Sequence, residues 1–424
     1  MSMINENNGE LNGLITFTMR TTSLLIVLLF SFGCDHNSGE FPGERQKLLL
    51  VAFDGLMPAQ IERNETPSFD RLLANGISSE AMIPVFPSKT FPAMYSMVTG
   101  LYPENHGIIS NNFKDEALGG WFRYGPPGGQ NGEWWGGEPL WVTVERQSGT
   151  AATLFWPGSE YEIGGIRPTR WLEYDSSMPQ MTRVDSVLSW LDPAGEVDAD
   201  FATLYFSETD QAGHSYGPFS TEADRAVSRA DELLGYLMER IQATGLSGRL
   251  NLVVVSDHGM AALSEERIVF LDDLIDLDRV EVIDWNPVAM LQTSPQEREE
   301  LYGQLKMVEE GVAVYKREEL PNRFRFQNHP RIPDLILVAE PGWTLTSRAF
   351  YMENGILSGN HGYDPLELEM HAVFLASGPL FPAGEVMPAF ESVDLYEMVC
   401  AVLGISPAEN DGSTDTFQGW IEAP

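Results

Sequence analysis

Four short segments of this 424-residue chain bring carboxylates and imidazoles close together in sequence. They are Asp54-Gly55, Asp210-Gln211-Ala212-Gly213-His214, Asp257-His258-Gly259 and His361-Gly362-Tyr363-Asp364. Each is a weak signal alone, because an Asp in such a place usually turns or caps the chain and a lone loop His is usually a satisfied polar residue. Their conjunction carries more. The chain has seven histidines, and three of them stand in these segments, each with an Asp nearby. Zinc takes imidazole nitrogen and carboxylate oxygen, with three protein ligands and an open position where it is catalytic. Asp54, Asp210, His214, Asp257, His258 and His361 suffice for two such sites. Two metals roughly 4 Å apart clamp the attacking and leaving oxygens of an in-line displacement.

A nucleophile candidate stands in the stretch 84–112. Thr90 precedes Phe91-Pro92 and a helix-like run over 93–99, and proline near the first turn is a good helix start. A hydroxyl there sits beside a helix N-terminus, where backbone N–H groups favour an anion. Thr is a weak nucleophile unless a metal or base activates it. From this segment alone Thr90 serves equally well as a helix cap.

The elements that must hold these groups show as apolar, strand-like runs at 48–53, 151–155, 202–206, 252–255, 335–339 and 372–375. Helix-like segments lie between several of them, most clearly over 221–242. Continuous apolar strands alternating with helices predict an α/β fold with a mainly parallel central sheet and helices on both faces. Ligands in such folds bind beyond the carboxyl ends of the strands, and the first four segments after 48–53, 202–206 and 252–255 and before 372–375 are those rich in Asp and His. Residues 265–345, charged and proline-containing, read as a smaller inserted lobe. The main domain spans 47–405, and 406–424 forms a C-terminal tail.

Residues 1–34 read as an export signal. Met19-Arg20 opens a basic start, 23–30 is an apolar stretch too short to span a bilayer, and Ser31-Phe32-Gly33-Cys34 resembles a bacterial lipoprotein signal. Met19 offers a second start, Cys34 a candidate lipid anchor and the only membrane attachment expected, and 35–46 a polar linker. The expected location is the periplasm or an envelope-anchored lipoprotein. Only Cys34 and Cys400 are present, so there is no disulfide framework, and Cys400 falls in an apolar helical pattern as a buried thiol. With 26 Lys plus Arg against 62 Asp plus Glu, the formal charge is −36. Such a surface repels polyanions and argues against bulk nucleic-acid binding. Bound cations would reverse that sign locally for an anionic substrate.

Longer motifs connect these residues. They are Asp54-Gly55, Lys89-Thr90-Phe91-Pro92, Val98-Thr99-Gly100-Leu101-Tyr102-Pro103, His106-Gly107-Ile108-Ile109, Trp134-Trp135-Gly136-Gly137-Glu138-Pro139 and Phe155-Trp156-Pro157-Gly158. Asp210 with His214 and Tyr216-Gly217-Pro218, Ser256-Asp257-His258-Gly259-Met260 and His361-Gly362-Tyr363-Asp364 complete the set. In order and spacing they resemble the nucleotide pyrophosphatase/phosphodiesterase family of the alkaline phosphatase superfamily, from about residue 47 to 405. The resemblance implies an alkaline-phosphatase-like core and two zinc ions. Asp210, His214 and His361 would hold one zinc. Asp54, Asp257 and His258 would hold the other, with Thr90 as a further ligand and as the nucleophile. Asn111 would bind a phosphate oxygen, and Phe91 and Tyr174 would hold a nucleotide base between two rings.

The implied reaction is hydrolysis of nucleotide phosphodiesters and pyrophosphates through a phosphothreonine, releasing nucleoside 5′-monophosphate, with no obligate protein partner. Ala93-Met94 departs from the family's usual Asn-His, which bears on specificity. A sulfatase needs a Cys or Ser in C/S-x-P-x-R, and Thr90-Phe91-Pro92-Ala93-Met94 lacks it. The alternatives on the same residues are a choline, lipid-headgroup or phosphonate substrate, and, from another class, a non-catalytic envelope lipoprotein that binds a ligand.

Overall fold

The computed structural model describes residues 46–123 and 131–421. The export signal, most of the linker, the Cys34 anchor and the last three residues lie outside the described residues.

At the centre is an eight-stranded sheet. Its order is Glu385–Met387, Ile77–Ser79, Phe374–Ser377, Leu250–Val255, Lys47–Phe53, Phe201–Phe206, Ala151–Leu154, Arg170–Leu172. Lys47–Phe53 lies between Phe201–Phe206 and Leu250–Val255 and runs parallel to both. Every residue of these three strands is buried, as a parallel sheet covered on both faces requires. Phe374–Ser377 alone runs against its neighbours, Leu250–Val255 and Ile77–Ser79. The sheet is therefore mainly parallel, as expected.

Helices Pro67–Ala74, Gln180–Leu191 and Thr221–Thr244 pack on one another and on the sheet. Thr90–Thr99, Leu140–Arg146 and Leu395–Leu403 form a second group. Thr221–Thr244 buries Ala223, Ala226, Val227, Ala230, Leu233, Leu234, Leu237 and Ile241, a stripe at helical spacing, and Ser220 caps it by accepting from the Ala223 N–H. Cys400 is buried in Leu395–Leu403 as anticipated.

One run departs from expectation. Leu335–Ala339 does not join the central sheet. It pairs antiparallel with Val288–Gln292 and Val312–Lys316 in a separate four-stranded sheet that Glu281–Asp284 completes. Its unbroken apolar character has a specific cause. Ile336 and Val338 face the main core, while Leu335, Leu337 and Ala339 face a second apolar cluster with Leu301 and Leu305. A strand between two cores reads like a strand inside a parallel sheet. Residues 406–421, set apart above as a tail, pack onto the body. Phe417 is buried against Phe374 and Phe390, and Asp411 accepts from the Tyr102 N–H at 2.9 Å.

Candidate active site

The chemistry-bearing residues gather at the carboxyl ends of the three central strands. Asp54 directly follows Lys47–Phe53, and Asp257 lies two residues beyond Leu250–Val255. After Phe201–Phe206 the chain enters helix Glu208–Tyr216. There Asp210 and His214, four apart, share a face. His361 arrives from another part of the chain. The two-residue strand Gly359–Asn360 pairs with Ala261–Ala262, which sets His361 beside the Asp257-His258 turn. Gly55 has φ +67°, and a Cβ there would stand 3.1 Å from Asp210 Cα. Only glycine lets the two segments approach this closely.

The three histidines are oriented alike. His214 Nδ1 lies 2.9 Å from Gly359 O, His258 Nδ1 2.9 Å from Gly259 O and His361 Nδ1 2.9 Å from Ser88 O. A backbone carbonyl only accepts, so each Nδ1 carries a proton and in the neutral ring each Nε2 presents its lone pair. Burial disfavours a second proton, but the facing carboxylates outweigh it at His214 and His258 and raise both, so those two sites attract positive charge. Those lone pairs face carboxylate oxygens. His258 Nε2 is 3.1 Å from Asp257 Oδ2 and 3.4 Å from Asp54 Oδ1. His214 and His361 Nε2 lie 3.3 and 3.6 Å from Asp210 Oδ1. These same three oxygens, Asp54 Oδ1, Asp257 Oδ2 and Asp210 Oδ1, are buried without a hydrogen bond among the described residues.

Acceptors facing acceptors in a buried site repel unless a cation sits among them. The donor set therefore fits metal ions. Two triples have ligand atoms within 4.8 Å of one another, Asp54 with Asp257 and His258, and Asp210 with His258 and His361. His258 belongs to both, its ring stacked on that of His361 at 3.5 Å, and His214 joins through Asp210. Burial, then the charges of Asp257 and Asp210, push Asp54 well above the usual carboxylate range. Burial, then the neighbouring imidazoles, hold His361 well below its ordinary value. His361 is thus neutral, as a ligand must be, and Asp54 is a carboxylate in need of a positive charge.

Thr90 is the first residue of Thr90–Thr99, whose N-cap is Lys89, and no side chain caps the helix. The Thr90 hydroxyl points elsewhere, with Oγ1 3.3 Å from His258 Nε2. This sets aside the capping role. Asn111 Oδ1 accepts from the Phe91 N–H at 2.9 Å, which ties Asn111 to the residue next to Thr90 and leaves its amide N–H groups as the donors. Phe91 rests on Phe122 and Trp135. Tyr174 packs edge-on against Phe155 at 5.2 Å and lies 6.2 Å from Tyr205. Both rings are half-buried, each with a bed of aromatics beneath it. Ala93 and Met94 are fully buried. Ala93 packs with Val85 and Val393, and Met94 O accepts from Trp156 Nε1 at 3.0 Å. They shape the support of the helix that Thr90 opens.

Sequence reasoning missed three supports. The Tyr205 hydroxyl donates to Asp54 Oδ2, and burial followed by the Asp54 charge raises its pKa so that it stays a donor. Thr209 Oγ1 donates to the Asp54 carbonyl. Lys89 and Ser110 both donate to Asp284 of the second sheet. Tyr205 sat inside an apolar strand pattern, its only signal being a polar tip next to the strand's last residue. The Asp284 contact spans too much sequence to leave any signal.

An α/β sheet with paired Asp/His clusters and a threonine hydroxyl at its carboxyl edge has the plan of the alkaline phosphatase superfamily. The comparisons narrow this. The model of the type I phosphodiesterase/nucleotide pyrophosphatase family matches residues 48–364. Among curated proteins, bis(5'-adenosyl)-triphosphatase ENPP4 of Homo sapiens is 36% identical over 398 residues, covering 92% of this chain and 85% of that protein. The venom phosphodiesterase of Macrovipera lebetinus is 35% identical over 396 residues, 90% of this chain and 46% of that protein. Among solved structures, murine ectonucleotide pyrophosphatase/phosphodiesterase 5, an inactive Thr→Ala form in complex with AMP, superposes with TM-score 0.85 at 32% identity, covering 89% of this chain and all of that one. The chain belongs to the nucleotide pyrophosphatase/phosphodiesterase family. It is an enzyme of that kind, a phosphoric diester hydrolase.

Proposed function

We propose that this enzyme is a two-zinc hydrolase of nucleotide phosphodiesters and pyrophosphates that works through a threonine-bound phosphoryl intermediate and releases nucleoside 5′-monophosphate. The observation that carries the proposal is the set of three orphaned carboxylate oxygens facing three imidazole lone pairs, with the Thr90 hydroxyl 3.3 Å from one of them. Asp54, Asp257 and His258 would hold one ion beside Thr90, and Asp210, His214 and His361 the other. When bound, the ions supply Lewis-acid stabilisation of the entering and leaving oxygens.

The chain's own residues do the rest. Thr90 gives up its hydroxyl proton to solvent, its Oγ attacks phosphorus in line and forms a P–O bond, and the bond to the leaving oxygen breaks with its electron pair going to that oxygen. The Asn111 amide donates to a non-bridging oxygen as charge accumulates there. Phe91 and Tyr174 hold the base. Water then attacks the Thr90 ester, and Thr90 Oγ leaves and regains a proton. The printed descriptions of relatives support this reading, among them the AMP complex of an inactive Thr→Ala form and the bis(5'-adenosyl)-triphosphatase.

Export is part of the proposal, with 1–34 as signal, 265–345 as an inserted lobe of the catalytic domain, and the periplasm or envelope as destination. Among the described residues, no helix is long and apolar enough to cross a membrane. Metal analysis of purified protein tests the centre of the proposal. Two zinc ions per chain and loss of activity on chelation are expected, and a single metal or full activity after exhaustive chelation overturns it. Comparing a nucleotide diester, a choline diester and a phosphate monoester on the same sample tests the substrate class. The nucleotide diester should turn over fastest.

A further inference from the structure

Arg183, in helix Gln180–Leu191, is 1% exposed, and no carboxylate forms an ion pair with it among the described residues. A charge buried this deeply is costly unless other groups take it up. Three backbone carbonyls do so. Arg183 Nε donates to Met178 O at 3.0 Å, Nη1 to Tyr205 O at 3.2 Å and Nη2 to Ser176 O at 3.3 Å. The guanidinium also lies over the rings of Phe155 and Phe206, 5.2 and 5.9 Å from their centroids, where ring faces attract a cation.

These contacts converge on Tyr174. Its ring packs edge-on against Phe155 at 5.2 Å and lies 6.2 Å from Tyr205. Arg183 holds both of these neighbours, Phe155 by its ring and Tyr205 by its carbonyl. It also holds the chain just past Tyr174, at Ser176 and Met178. Residues 175–177 are exposed and belong to no helix or strand.

The sheet explains the place that Arg183 fills. Leu154 pairs with Leu204, and there strand Ala151–Leu154 ends. Phe155 has φ +66°, a left-handed conformation that bulky residues seldom adopt and that clusters at functional sites. The Tyr205 carbonyl, one residue past the pairing, takes Arg183 as its donor. A lysine gathers its donors at one nitrogen, whereas the guanidinium fork spreads them over three.

Resting on the assignment of Tyr174 to the base above, we infer that Arg183 is a positioning residue. It fixes Tyr174 against Phe155 and Tyr205, and so sets the preference of the enzyme for diesters that carry a base.

Arg183→Met and Arg183→Lys test this on two diesters, a nucleoside 5′-monophosphate p-nitrophenyl ester and methyl p-nitrophenyl phosphate. Both release p-nitrophenol, and only the first carries a base. The ratio of their kcat/KM values does not depend on the fraction of protein folded, so a destabilised variant still gives an answer. Arg183→Met should lower that ratio by roughly 10-fold, the size of the stacking contact it releases. Arg183→Lys keeps the charge and should lower it in the same direction by about 3-fold or more. On a Tyr174→Ala background, Arg183→Met should leave the ratio unchanged, because the ring it places is gone. Two results overturn the inference. One is an unchanged ratio in the single variants, whether activity holds or falls on both esters alike. The other is a further drop on the Tyr174→Ala background.

Hydrogen exchange separates this from the base assignment. The Tyr174 and Ser177 N–H groups are bonded to Glu160 Oε1 and Asp175 Oδ1. Arg183→Lys should speed exchange over 174–178 and leave strand Phe201–Phe206 as in wild type. Unchanged exchange over 174–178 overturns the inference. If exchange rises there but Tyr174→Ala lowers kcat/KM equally on both esters, Arg183 still places Tyr174, and the base assignment is what fails.

Discussion

Tyr205→Phe removes one oxygen atom and tests whether Asp54 is held for a metal. The ring should stay in place, since it is 9% exposed and packs near Tyr174 at 6.2 Å. The backbone is also anchored, because Tyr205 O accepts from Arg183 Nη1 at 3.2 Å. What is lost is the hydroxyl's hydrogen bond to Asp54 Oδ2, the sole side-chain donor to that carboxylate among the described residues. A hydrogen bond to a charged group is worth about 1.5–3 kcal/mol, and burial keeps water from replacing it. That corresponds to roughly 10- to 150-fold in affinity. Partners that orient metal ligands typically matter by about 10–100-fold. Zinc affinity measured by competition with a chromophoric chelator should therefore show one of two sites weakened by about 10–100-fold and the other unchanged. Circular dichroism should match wild type. Wild-type affinity at both sites would refute the argument that Tyr205 orients Asp54 as a ligand.

Thr90→Ala should abolish turnover while keeping both metals, because the six Asp and His side chains remain; elemental analysis alongside kinetics checks this, and more than a small percentage of activity would make water the nucleophile. Tyr174→Ala should cost about 10-fold or more in kcat/KM on a nucleotide diester, from stacking worth ~1–3 kcal/mol, and much less on a small aryl phosphate. Equal losses would make Tyr174 structural. Asp284→Ala should leave the Lys89 ammonium, 8% exposed, without its partner and should lower stability by about 3–5 kcal/mol. Denaturant melts read this, and an unchanged midpoint would show that Lys89 finds water instead.

Most of the candidate metal ligands were legible because Asp54, Asp210, His214, Asp257 and His258 follow short apolar runs, where a parallel sheet collects its chemistry. His361 shows why the motifs mattered more than the pattern. It reaches the site through a two-residue strand, Gly359–Asn360, too short to leave a periodicity. Thr90 was ambiguous in sequence because a cap and a nucleophile want the same residue at the same turn; the hydroxyl lies toward His258 and caps nothing, which the sequence could not show. Leu335–Ala339 misled because its two faces meet two different cores. Tyr205 and Asp284 were invisible for another reason. Their roles exist only across contacts more than a hundred residues apart, Tyr205 to Asp54 and Asp284 to Lys89, and no local pattern encodes such a pairing.

The central claim is that Thr90 takes the phosphoryl group before water does. The stereochemical course at phosphorus tests it most directly. A nucleotide diester made chiral with sulfur at phosphorus is hydrolysed in isotopically labelled water, and the configuration of the nucleoside 5′-thiophosphate is read by phosphorus NMR. Two successive in-line displacements, first by Thr90 and then by water, predict net retention. Net inversion would mean a single displacement by water, and Thr90 would not be the nucleophile.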